Sequence, residues 1–243
     1  MRTAVVFTGA MRSFEKCLPT QAWHVFEKLG TPDFFVSTVA DADAGKASLL
    51  VDRYGADRVK IDVVADQPDC IAELRARGCV LPGEWQKGKP YTHEPYAISV
   101  HPQAVARQLW QLNRAAEVFN LSIYDRVIRI RPDLWFHSCD SALDVEPDVC
   151  RAPWWGRFGG MNDRFAVMGR EAVVPYFCTY SAIPALLLRG CPLHPESLVK
   201  ASVELRGCLV RSRLLASFST LRTTGEMRGP EVLNDDLAAI CSS

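Results

Sequence analysis

Ala4-Val5-Val6-Phe7-Thr8-Gly9 is a run of four apolar residues closed by a hydroxyl side chain and a glycine. A short continuous apolar run that ends in a turn residue is the pattern of a strand buried on both faces. Asp33–Val39 (DFFVSTV) repeats it. Between the two stands Pro19, which removes a donor and clashes inside a helix. The expected helix therefore begins at Pro19, runs to Leu29, and turns Ala22, Phe26 and Leu29 toward the core. Lys46–Tyr54 reads as a second helix stopped by Gly55, and Arg58–Val64 as a third strand. Strand, helix, strand, helix, strand is the order of a parallel sheet covered by helices. The expected fold class is α/β: a Rossmann-like, mostly parallel sheet flanked by helices in one domain.

Outward from this core the pattern loosens. Asp66–Val100 holds Pro68, Pro82, Pro90 and Pro95 with Trp85, Tyr91 and Tyr96. Apart from a short helix over Ile71–Gly78 it reads as a long loop of the kind that covers or binds ligands. Pro102–Phe119 is a strong helix with Val105, Leu109, Leu112 and Ala116 on one face. Val127–Arg131, Ala152–Trp155 and Phe165–Met168 read as strands, Glu171–Tyr180 and Pro195–Leu205 as helices. Gly207 closes the last helix, and Cys208–Arg211 is a final strand. The domain is expected to span 1–221, with 222–243 a polar, loosely held C-terminal tail.

Composition excludes several classes. The chain has 243 residues, 48% hydrophobic, with 28 basic and 28 acidic side chains. It is long enough to bury a full core and too apolar for disorder. A zero net charge argues against nucleic-acid binding, which needs a basic excess. Nine cysteines, an odd number with no CxxC pair, point to free thiols in a reducing compartment rather than disulfides or zinc. The first apolar run is too short for a signal peptide, and Ile183–Leu188, broken by Pro184, is too short to span a bilayer. A cytoplasmic location is the expectation.

Four polar clusters carry the chemistry. Thr8, Gly9 and Arg12 follow the first strand, at the edge where open α/β sheets bind ligands. Gly9 permits close backbone approach and Arg12 can fork onto a phosphate. The remaining glycines of a phosphate loop or a dinucleotide fingerprint are missing. Arg129 and Arg131 share one face of a strand, with Ile128 and Ile130 on the other. Two covered guanidiniums need anionic partners: nearby carboxylates, a ligand phosphate, or both. Asp133, just past Pro132, stands at the strand end, where one oxygen ligand to a divalent metal would fit. Asn162, Asp163 and Arg164 follow a glycine-rich approach and read either as a turn or as a carboxylate reaching into a cleft. Glu196 follows His194 and Pro195 into a helix's first turn. The helix dipole explains an acid there, and a catalytic role is the alternative. Asp41-Ala42-Asp43 spells a metal-binding Asp-x-Asp, but a turn before a helix accounts for both acids.

The ordered set VVFTGAMRSFEKC (5–17), DFFVST (33–38), VIRIRPDLWF (127–136), NDRFAVMG (162–169) and HPE (194–196) resembles the GT-A-fold nucleotide-sugar glycosyltransferases. It is most similar to small glycosyltransferase-like members from bacteria and large viruses, over about Met1 to Arg213. The resemblance implies glycosyl transfer from a nucleoside diphosphate sugar to a hydroxyl of a glycan, polysaccharide or lipopolysaccharide-type acceptor. It implies Thr8, Gly9, Arg12, Arg129 and Arg131 at the nucleotide diphosphate, Asp133 at Mn²⁺ or Mg²⁺, and Asp163 and Glu196 as catalytic groups near the sugar or acceptor. One departure stands out: the stretch matching Asp-x-Asp is Asp133-Leu134-Trp135, with a single acid. Either one Asp suffices, with water and diphosphate as further ligands, or Arg12 and Arg131 replace the metal's charge. A non-catalytic nucleotide- or glycan-binding module of the same fold is the alternative, and another phosphate-ester enzyme a weaker one.

Overall fold

A computed structural model describes residues 1–81, 91–93, 98–139, 142–214 and 216–229. The opening apolar run is β1 (Thr3–Thr8), and all six residues are buried. Val5, Val6 and Phe7 are wholly inaccessible, and each such side chain contributes roughly 1.5–3 kcal/mol. The alternation continues through α1 (Phe14–His24), β2 (Asp33–Val39), α2 (Ser48–Tyr54), β3 (Val59–Val64) and α3 (Cys70–Ala76). A small antiparallel pair, β4 (Tyr91–His93) and β5 (Ile98–Val100), precedes α4 (Pro102–Val118). The prolines and aromatics Pro82, Trp85, Pro90, Pro95 and Tyr96 lie outside the described residues.

β6 (Arg126–Ile130), β7 (Leu134–Cys139), β8 (Val149–Arg151) and β9 (Phe165–Gly169) follow. Then come α5 (Arg170–Phe177), α6 (Thr179–Leu188) and α7 (Pro195–Leu205). β10 (Leu209–Arg211), β11 (Ala216–Leu221) and β12 (Met227–Arg228) complete the described chain.

Seven strands form the central sheet in the order β10-β8-β9-β6-β1-β2-β3. β6, β1, β2 and β3 run parallel, while β9 is antiparallel to β6 and to β8. The mostly parallel, single-domain α/β architecture is therefore as expected. The chain moves outward from β1 to β2 and β3, then crosses back to lay β6 on the other side of β1. That reversal is the switch point where open α/β sheets leave a crevice beyond their carboxyl ends. Side-chain alternation builds two cores. Val5, Phe7, Ile128 and Ile130 face α1 and α2, and Ala4, Val6 and Val127 face α4 and the later helices.

Several expectations are corrected. The first helix begins at Phe14 and carries Pro19 in its interior. Tertiary packing overrides the proline penalty. Phe14, Cys17, Leu18 and Ala22 are buried, and the Gln21 amide donates to the carbonyl oxygens of Pro132 (3.2 Å) and Leu134 (2.9 Å). The strand expected at Ala152–Trp155 lies at Val149–Arg151, where β9 and β10 offer partners. The helix expected over Glu171–Tyr180 is the first of two, α5 and α6, joined at Cys178 and bent by 73°. Among the described residues no single helix is long and apolar enough to cross a membrane.

β7, β11 and β12 form a second, three-stranded sheet that the sequence reading lacked. Residues 222–226 are its hairpin turn, with Met227 and Arg228 paired to Leu221 and Thr220, so the start of the expected tail is ordered structure. Residues from 230 on lie outside the described set. The eight described cysteines are all free, and Cys241 is outside them.

Candidate functional site

At the switch point a cleft of about 420 Å³ opens over the carboxyl ends of β1, β2 and β6. β1 supplies Thr8, Gly9, Ala10 and Arg12 to its wall, β2 supplies Val39 and Asp41, and β6 supplies Arg129, Arg131, Pro132 and Asp133. Six of the eight residues singled out from sequence thus converge on one cavity. Gly9 extends the sheet, donating its amide to the Ser37 carbonyl (3.1 Å), and turns away at φ +111°. Only glycine adopts that conformation without strain, and a side chain here would stand between ligand and backbone.

Arg129 is 1% exposed and heads the ranking of fully buried side chains by size. One Nη donates to the Asp163 carbonyl and the other lies 3.5 Å from Thr8 Oγ1. Its Nε has no acceptor among the described residues. A buried donor left in that state costs about 1–3 kcal/mol. Burial lowers the Arg129 pKa from its ordinary value, with Tyr176 and Asp163 opposing.

Arg131 grips Asp133 with two nitrogens, Nε to Oδ1 at 3.0 Å and Nη2 to Oδ2 at 2.6 Å. This is the fork-to-fork geometry of a strong charge-assisted pair. Burial works to lower the Arg131 pKa, but the charge and hydrogen bond of Asp133, with Asp163 and Glu196 behind, raise it overall. Some 26% of the side chain stays accessible, and Nη1 has no acceptor among the described residues.

The donor set does not fit a resident divalent metal. Both Asp133 oxygens are held by Arg131, and among the described residues no three His, Cys, Asp or Glu side chains converge. The expected Mn²⁺ or Mg²⁺ would therefore have to share Asp133 with Arg131 and take its other ligands from outside the described side chains. A carboxylate committed to a guanidinium is a poor ligand for a cation that needs several oxygens.

Asp163 and Glu196 sit beneath the cleft rather than in its wall, 3% and 4% exposed. The Asp163 carboxylate accepts from Gln108, which does line the cleft, and its carbonyl takes the Arg129 donor. Glu196 Oε2 lies 3.1 Å from His194 Nδ1. Burial, and then the negative charge of Asp163, push the Glu196 pKa well above the ordinary carboxylate range. The same pair of acids supports the positive charge of Arg131. Asn162 is structural: its amide donates to the Trp155 carbonyl (2.9 Å) and its oxygen accepts from the Arg164 amide (3.0 Å). Gly160 lets this loop meet α7, and a Cβ there would overlap the Glu196 backbone. The Met161 amide donates to the Glu196 carbonyl at 3.1 Å.

Sequence reasoning missed the far wall. Ala104, Arg107, Gln108 and Gln111 of α4 line the cleft, as does Gln67. Their spacing is helical and flanks the apolar stripe Val105, Leu109 and Leu112, so the polar residues Arg107, Gln108 and Gln111 beside that stripe on a helix that covers the sheet were the available signal. Gln111 is locked by Gln67 (3.0 Å) and Ser37 (2.7 Å), and Ser37 in turn reaches Asp62 (3.2 Å), which Arg114 holds. Asp41 also reaches the cleft, although its Oδ1 caps the Asp43 amide (2.9 Å) in the turn the sequence implied. Asp43 pairs with Lys46 instead (2.7 Å).

No family model matches the chain, and no curated protein matches it. Among solved structures it is similar to the galactosyltransferase LgtC in complex with donor and acceptor sugar analogs. That match has 11% identity and a TM-score of 0.42, over 83% of this chain and 70% of that one. An active-site mutant of LgtC matches with 11% identity and a TM-score of 0.43, over 86% and 71%. At this degree of likeness the function has to be read from the site itself.

Proposed function

We propose that the protein transfers a glycosyl group from a nucleoside diphosphate sugar to a hydroxyl acceptor, and that arginines rather than a metal receive the leaving diphosphate. The observation that carries this reading is the switch-point cleft, which among the described residues holds Arg12, Arg107, Arg129 and Arg131 against Asp41 and Asp133. Arg129 and Arg131 also keep donors without acceptors among the described residues.

In the reaction, the anomeric carbon's bond to the diphosphate oxygen breaks and the electron pair leaves with the diphosphate. The acceptor oxygen forms the new bond, and its proton passes to the departing diphosphate. The developing charge is met by fixed guanidiniums in a partly water-excluded cleft, where such preorganised donors are most effective. Gly9 lets the phosphates approach the backbone. Gln108 and Gln111, fixed by Asp163 and Ser37, offer amides for hydroxyl groups. Asp163 and Glu196 are assigned to holding Arg129 and Arg131 in place rather than to contact with the sugar.

Their burial also favours the second reading, a module that binds the nucleotide without turnover. Calorimetric titration with UDP-, GDP- and dTDP-sugars, with Mn²⁺ and with a chelator, tests the first point. The expected result is binding of one nucleotide family, equal in both conditions. Binding that requires Mn²⁺ would overturn the arginine assignment, and no binding by folded protein would overturn the donor reading. Release of nucleoside diphosphate on adding acceptor candidates separates enzyme from module.

A further inference from the structure

A second cleft, of about 450 Å³, shares Arg131 with the first. A single residue therefore forms part of the wall of each. Arg164, Arg222 and Arg228 complete a basic lining, and no aspartate or glutamate among the described residues joins it. Arg228 is matched by Glu226 (2.8 Å) and Arg131 by Asp133. Arg164 and Arg222 make no salt bridge among the described residues.

Two aromatic rings complete the wall. Trp155 is anchored by its indole N–H, which donates to the Ala216 carbonyl at 2.9 Å, and by its contact with Phe218. Phe158 is half-buried, edge-on to His194 at 6.0 Å. It is the one non-glycine residue with positive φ (40°) among the described residues. The loop thus holds Phe158 in place against local preference.

A cleft that sets guanidiniums beside aromatic faces matches a ring that is apolar on its faces and anionic at its edge. We propose that this cleft binds the acceptor, and that the acceptor is a sugar carrying a carboxylate or a phosphate. Calling the ligand an acceptor rests on the transfer reading above. The binding itself does not. A shared Arg131 would bring the anionic sugar and the donor diphosphate to one residue, with the transferred sugar near both.

The test is isothermal titration of the full chain with methyl β-glucuronide, glucose 6-phosphate, methyl β-glucoside and inorganic phosphate. One of the two anionic sugars is expected to bind at least about tenfold more tightly than the neutral glucoside, and which one does so distinguishes carboxylate from phosphate. Arg164→Gln is expected to weaken that binding about tenfold while leaving nucleoside diphosphate affinity unchanged, because Arg164 does not line the first cleft. Should that variant fail to fold, Arg222→Gln carries the same expectation for the anionic sugar. Phe158→Ala is expected to weaken the ring-bearing anion and not inorganic phosphate.

Equal binding of neutral and anionic sugars, or no response to either arginine variant, would overturn the proposal. Inorganic phosphate binding as tightly as the anionic sugars would remove the sugar from it. Anionic sugar binding without any nucleotide binding would uphold this cleft and overturn the donor reading instead.

Discussion

The two ends of β6 both bury an arginine beside the sheet, and they use it in opposite ways. At the amino end Arg126 spends its donors on the protein: Thr3 Oγ1 (3.2 and 3.0 Å), the Leu143 carbonyl (3.0 Å) and Asp144 (3.1 Å). At the carboxyl end Arg129 keeps its Nε without an acceptor among the described residues, and Arg131 lines two cavities. Desolvation acts on all three guanidiniums. Only at the carboxyl end do guanidinium donors stay without an acceptor among the described residues, and that is the end where the chain's reversal opens a crevice. An arginine buried and fully bonded is a strut, whereas one buried with donors to spare is a receptor for an anion.

The largest expected effect separates the ends by ligand binding. Arg131→Gln should lower nucleoside diphosphate affinity about tenfold to a hundredfold, the value of one or two charge-assisted hydrogen bonds. Arg126→Gln should leave that affinity within about twofold and cost about 1–3 kcal/mol of stability in urea denaturation. If Arg126→Gln weakened the nucleotide as much as Arg131→Gln, the division between strut and receptor would fail.

A pair of glycines sharpens the contrast. Gly160 abuts the Glu196 backbone near the cleft, and Gly169, paired across the sheet with Arg126, abuts the carbonyls of Glu146 and Pro147. Each Gly→Ala change should destabilise by about 1–3 kcal/mol through overpacking. Gly160→Ala should also weaken binding at the second cleft, because it displaces the loop that carries Trp155 and Phe158. Gly169→Ala should leave both ligands unaffected once folded. Thermal melts and calorimetry on the two variants decide it.

The smallest effect is the pH dependence of the acids under the receptor end. Burial and Asp163 raise the folded-state pKa of Glu196 above its unfolded value. The folded chain is then favoured while Glu196 is protonated in both states, and it loses stability as pH rises from the unfolded pKa through the folded one. Glu196→Gln removes that loss. Its melting temperature relative to the parent chain should therefore rise as pH climbs above the ordinary carboxylate range. A flat difference would mean that Arg131 and Arg164 keep Glu196 ionised throughout.

Much of this was legible from local pattern, and the failures share one cause. β7 was invisible because its partner β11 lies some eighty residues on in the chain, and a half-buried LWFHSC carries no periodicity of its own. The pairing of Asp133 with Arg131 was not legible because a strand-end aspartate looks the same whether it faces a cation or a guanidinium. Only the bend at Pro132, held by Gln21 from α1, turns Asp133 back onto Arg131.

The amino-acid sequence by itself determined the alternation that makes the sheet parallel. It also determined the face on which Arg129 and Arg131 stand and the edge that carries Thr8, Gly9 and Arg12, because side-chain period and turn chemistry are properties of neighbours along the chain. Three matters were left to the tertiary structure: which carboxylates meet which arginines, which amides of α4 look into the cleft, and which donors go unmatched. Those are distances between segments far apart in sequence. Their energies depend on how completely packing removes water from each group, and no local pattern encodes that.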